Sequence, residues 1–143
     1  SSTFWTERSG YVAGLKTIEF MEKYQTYNIL KKNGNYLISQ WKKLSKKYNL
    51  SLEISKMPCI CNFRFKKNNN FFKTLITKEM LKQGYLASNI VYVSIYHNKK
   101  NIDEYIKKLD PIFKKIKLIM NDNKVLKKIS KLSSENSFKR LIN

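Results

Sequence analysis

Acid is scarce in this chain: 10 Asp and Glu stand against 29 Lys and Arg, a formal net charge of +19 over 143 residues. Arginine is scarcer still, since only Arg8, Arg64 and Arg140 among the basic residues are arginines. A surplus of this size raises nucleic acid as a partner, because clustered cations displace counterions from phosphate backbones. Readers of phosphates and bases draw on the planar guanidinium fork, however. Here the surplus is Lys mixed with Asn and Ile, which reads as solvated surface. Nucleic acid is therefore not the expected partner. A free-standing basic nucleic-acid-binding α+β module, with Phe63 and Phe65 stacking on bases, stands as the alternative.

Other shortages exclude chemistry in turn. The few carboxylates form no spaced pair of the kind hydrolytic acid–base work needs. The four glycines are isolated, so no loop is built to cradle a phosphate chain. A single histidine, His97, has no Cys or His cluster around it to complete a zinc site and no neighbouring nucleophile to serve; a structural hydrogen bond is its expected role. Cys59 and Cys61 are too few for a secreted disulfide scaffold, which favours a reducing, cytoplasmic setting. On a strand, a C-x-C pair points both thiols one way with Cα atoms about 7 Å apart, at the limit for a disulfide. Two core thiols are the expectation. No apolar run approaches the length of a membrane span, so no membrane is expected as a partner.

What is present is periodicity. Apolar residues at helical spacing run from about 7 to 25, through Tyr11, Leu15 and Ile18. A second stripe, Leu30, Gly34, Leu37, Trp41, Leu44 and Tyr48, alternates steps of four and three, with lysines between. Residues 51–55 and 59–66 read as strands, the second placing Cys59, Cys61, Phe63 and Phe65 on one face. The run 68–70 (NNN) reads as a turn, 71–83 as an amphipathic helix stopped by Gly84, and 85–88 and 90–96 as strands. A helix opening at Asn101 with Glu104 as capping partner should kink or restart at Asp110-Pro111. The composition predicts a looser arm over 121–143, with Phe138 and Leu141 as docking residues. Helices first, then short strands alternating with helices, give an α+β (α/β) class: a short, mainly antiparallel sheet covered by helices.

The stretch 1–23 (SSTFWTERSGYVAGLKTIEFMEK) resembles the segment that follows the cofactor lysine in class III, fold type I pyridoxal-phosphate aminotransferases, most of all the glutamate-1-semialdehyde aminomutase branch. Residues 74–113 (TLITKEMLKQGYLASNIVYVSIYHNKKNIDEYIKKLDPIF) and 137–143 (SFKRLIN) are similar to the C-terminal domain of that family, in the same order. The resemblance implies a lead-in helix over 1–27 linked to a large upstream domain, a small C-terminal domain over 28–120, and an arm over 121–143. It implies pyridoxal 5'-phosphate as cofactor, a homodimer, and a small-molecule amino donor with a carbonyl substrate. Thr3, in the family's "TF" turn, would bind the cofactor phosphate of the neighbouring subunit, with Ser2 beside it; hydroxyls and free N–H groups ahead of a helix suit an anion. Many relatives carry Asn-Pro after this turn, where this chain has Trp5-Thr6-Glu7-Arg8, and Trp5, Glu7 and Arg8 fall where the active-site mouth is expected. No family motif fixes Arg64. The Schiff-base lysine belongs to the upstream domain, so these 143 residues, which begin without an initiator Met, read as the tail end of a larger enzyme and as inactive alone.

Overall fold

The computed structural model describes residues 5–127. Seven elements follow in order: α1 (Arg8–Tyr24), α2 (Thr26–Lys47), β1 (Leu52–Ile54), β2 (Ile60–Phe65), α3 (Asn69–Leu81), β3 (Ile90–Tyr92) and α4 (Lys99–Asn121). The class is α+β. The three strands form one antiparallel sheet in the order β1-β2-β3.

Strand alternation decides which face of the sheet is covered. Cys61, Phe63 and Phe65 of β2 are buried, while Arg64 between them is exposed. Register carries the same face outward from β2: Leu52 lies opposite Phe65, Ile54 opposite Phe63 and Val91 opposite Cys61. Helices α2 and α3 lie against this face, and α4 packs on both. The stripe of α2 meets it with Leu37, Trp41 and Leu44. From α4 come Leu109, Ile112, Phe113 and Ile116, and from α3 Phe72, Ile76 and Met80. At the centre Trp41 stands edge-on to Phe63 at 4.8 Å, and Phe63 edge-on to Phe113 at 5.8 Å, geometries that aromatic quadrupoles favour.

Helix α2 and the loop entering β2 approach so closely that only glycine fits at position 34. A Cβ there would overlap the Pro58 carbonyl oxygen and lie 2.5 Å from its carbon. The Cys61 thiol fills the remaining space, donating to Pro58 O at 3.2 Å and lying 3.6 Å from Gly34 O. The two helices α1 and α2 are separated by one residue, Gln25, in the left-handed region at φ 45°. Among the described residues, helix α1 touches no element except α2, and none of its 17 residues is buried.

Four sequence expectations need correction. Residues 85–88 are not a strand: the sheet holds only β1, β2 and β3, and this segment joins none of them in a ladder. Gly84 at φ 81° ends α3 with Tyr85 N donating to Met80 O, and pairing resumes only where Asn89 exchanges bonds with Phe63. The strand expected over 90–96 stops at Tyr92, because the Ser94 and His97 side chains capture the amides of Tyr96 and Ser94. Asn69 and Asn70 belong to α3, whose turn is made by Asn68 alone at φ 54°. Finally, α4 starts earlier and does not restart. Asn98 is its cap, accepting from Asn101 N at 3.0 Å. The helix then runs unbroken through Pro111, which lies on the exposed side while buried Leu109, Ile112 and Phe113 anchor the helix on both sides of it. Among the described residues, no helix is long and apolar enough to cross a membrane.

Candidate functional site

Ser2 and Thr3, with Phe138 and Leu141 of the expected arm, lie outside the described residues. The segment next to Thr3 is described. Trp5 is exposed, and its carbonyl oxygen accepts from the Tyr11 hydroxyl at 2.6 Å, which ties the entering chain to the first turns of α1. Glu7 is the residue before the helix but makes no capping bond; its carboxylate accepts from Ser9 Oγ at 3.2 Å. Arg8 opens the helix, and its first turn holds no acidic side chain. The leading amides of α1 therefore have no side-chain cap, the condition under which a helix start receives an anion. The Glu7 carboxylate works against that anion and Arg8 works for it.

The aromatic residues of β2 are unavailable to bases. Phe63 is 0% and Phe65 3% exposed, and both are held in ring contacts with Trp41, Phe72 and Phe113. The stacking platform of the nucleic-acid alternative is thus part of the core. Arg64 points away from it and is exposed.

His97 has the structural role expected of it. Its Nδ1 accepts from the Ser94 amide at 2.8 Å and lies 3.0 Å from Ser94 Oγ, closing the turn that His97 N makes to Ser94 O. Both cysteines are free thiols. Cys61 is buried, and burial, with Cys59 close by, pushes its thiol up to about 11.

One concavity was not anticipated. A half-open cavity of about 640 Å³ lies between β3, the segment 85–87 and the first turns of α4. Tyr85, Tyr92, Tyr96 and Tyr105 line it, with Glu104 and His97. Tyr92 and Tyr96 are exposed, whereas the Tyr105 hydroxyl is turned into the core. There it has no hydrogen-bond partner, and burial pushes its pKa far up; the Trp41 indole N–H faces it without closing a bond of ordinary geometry. Sequence reading missed this site because its tyrosines come from three separate segments and share no spacing. The two smaller cavities beside α2 are lined by lysines, among them Lys42, Lys46 and Lys56 in one and Lys43, Lys47 and Lys107 in the other. Among the described residues, no group of three or more His, Cys, Asp or Glu could hold a metal ion. Set against known proteins, the chain matches no family model, no curated protein and no solved structure.

Proposed function

We infer that this chain is the C-terminal part of a class III, fold type I pyridoxal-phosphate aminotransferase or aminomutase, working as a cytoplasmic homodimer. One observation carries the reading: α1 displays Tyr11, Leu15 and Ile18 on one stripe, each more than half exposed, while the domain behind it has a closed core. Burying such side chains yields about 1.5–3 kcal/mol each, so a helix that leaves three in a row uncovered is suited to a larger neighbour. The resemblance of residues 1–23 and 74–113 names that neighbour as the large cofactor domain. The antiparallel sheet with helices on one face agrees with the small domain the resemblance implies.

In the complete enzyme Thr3 and Ser2 would bind the phosphate of pyridoxal 5'-phosphate held by the partner subunit. The uncapped start of α1 and Arg8, a few residues further along the chain, would add donors and positive charge. When bound, the cofactor supplies the electron sink through which an amino group moves from a small-molecule donor to a carbonyl substrate. The lysine that anchors it is contributed from upstream, so the chain alone is inactive.

The test is the reading frame preceding Ser1. It should encode a large domain with the cofactor lysine, and the joined product should purify as a yellow dimer. Thr3→Ala should loosen cofactor retention about tenfold, the share of one charge-assisted hydrogen bond. A stop codon directly upstream, or a joined product that stays colourless with added cofactor, refutes the reading.

A further inference from the structure

The tyrosine-lined cavity stands apart from the rest of the protein, which is strongly basic. Glu104 is the one carboxylate lining it, and no lysine or arginine does. In a chain with 29 basic residues and 10 acidic ones, that is an inversion of the local sign. Glu104 also forms no ion pair among the described residues. Lys100, Lys107 and Lys108 stand one turn away on the same helix, yet none closes on it and none enters the cavity. The lysines that do lie over tyrosine rings sit elsewhere, Lys23 on Tyr24 and Lys47 on Tyr48. The faces of Tyr85, Tyr92, Tyr96 and Tyr105 are thus left without an internal cation among the described residues.

Aromatic walls with a carboxylate at the rim form the arrangement that recognises an alkylated ammonium group. The ring quadrupoles attract a diffuse positive charge, methyl groups fill the apolar space, and the carboxylate neutralises the ion without demanding N–H donors. The volume is that of a small-molecule site. We propose that the cavity between β3, residues 85–87 and the start of α4 binds a small molecule bearing a quaternary or methylated ammonium group, with Glu104 as counter-ion and Tyr92 and Tyr96 as ring walls. A methylated basic peptide is disfavoured as the source of the ammonium, because its flanking lysines would meet the +19 charge of the chain. At physiological ionic strength fields fade over about 8 Å, which screens most of the chain's lysines from a single small cation here; of the charged residues on neighbouring turns, Glu104 alone lines the cavity. The site belongs to the domain 28–120 and does not depend on what covers α1.

Choline, and its neutral isostere 3,3-dimethylbutan-1-ol, titrated into the full chain and followed by amide and methyl NMR shifts, would test this. Choline should saturate with shifts at residues 85–105, and the isostere should bind at least about tenfold more weakly. Glu104→Gln should weaken choline about tenfold, and Tyr92→Leu or Tyr96→Leu about three- to tenfold each, from the range of single cation–ring contacts. All three positions are exposed, so each variant should keep the wild-type urea midpoint as a folding control. Equal binding of the isostere, undiminished binding by correctly folded Glu104→Gln, or no saturation by choline would overturn the proposal. Tighter binding of a trimethyl-lysine peptide than of choline would overturn the small-molecule assignment.

Discussion

Gly34→Ala adds one methyl group, and the structure says where it goes. Gly34 is in the middle of α2, so the exchange first brings a gain of up to about 1 kcal/mol from helix propensity. Against this stands the Pro58 backbone, with its carbonyl carbon 2.5 Å and its Cα 2.8 Å from the new Cβ. This obstacle cannot swing aside as a long side chain would. Pro58 leads directly into β2, its carbonyl oxygen accepts the Cys61 thiol, and one residue on Cys59 O accepts the Val93 amide at 3.0 Å. Moving the loop therefore strains the sheet, and overpacking of this kind costs about 3 kcal/mol or more. The net expectation is a loss of at least about 2 kcal/mol. With an unfolding entropy of roughly 2.1 cal/mol/K per residue, that lowers Tm by about 7 °C. Gly10→Ala and Gly14→Ala are the controls: among the described residues, nothing beyond the helix's own neighbouring backbone lies within 4 Å of either new Cβ, so each should keep or slightly raise stability. Urea unfolding read by Trp41 fluorescence in a Trp5→Phe background isolates the core signal, since Trp41 is buried beside Phe63 and Trp5 is exposed. A Gly34→Ala midpoint at or above wild type would show that the loop yields freely, and the account of the α2–β2 contact would be wrong.

Two further predictions follow from burial. Because the folded state raises the Cys61 thiol from 9.0 to about 11, its neutral form contributes stability that is complete below about pH 9 and lost as pH climbs towards 11; Cys61→Ala should flatten that part of the stability profile, and thiol labelling at pH 8 should reach Cys59 well before Cys61. Helix α1, without a buried residue, should exchange its amide hydrogens orders of magnitude faster than α2 or α4, and deleting residues 1–24 should move the Tm by no more than a few degrees; protection in α1 equal to that of α4 would show that it is held by more than α2.

The alternation in 60–65 and the four-and-three spacing of α2 were legible because each element's own pattern decides which side is apolar. The first helix and its end near residue 25 could be read for the same reason. Residues 85–88 misled because strand propensity says nothing about whether the segment is laid beside another strand, and this one pairs with none. Pro111 misled because a proline's cost depends on whether its side of the helix faces water, and on the anchors either side of it. The tyrosine cavity was illegible in principle: Tyr85, Tyr92, Tyr96 and Tyr105 come together only when the β3 edge is laid beside the first turns of α4. The sequence by itself determined the α+β class, the core stripes and the excess of lysine, all of which are local or additive properties of the chain. Only the tertiary structure decided that Phe63 and Phe65 are core, that α1 stands uncovered, and that Glu104 faces aromatic rings without a lysine, because these depend on which distant residues become neighbours.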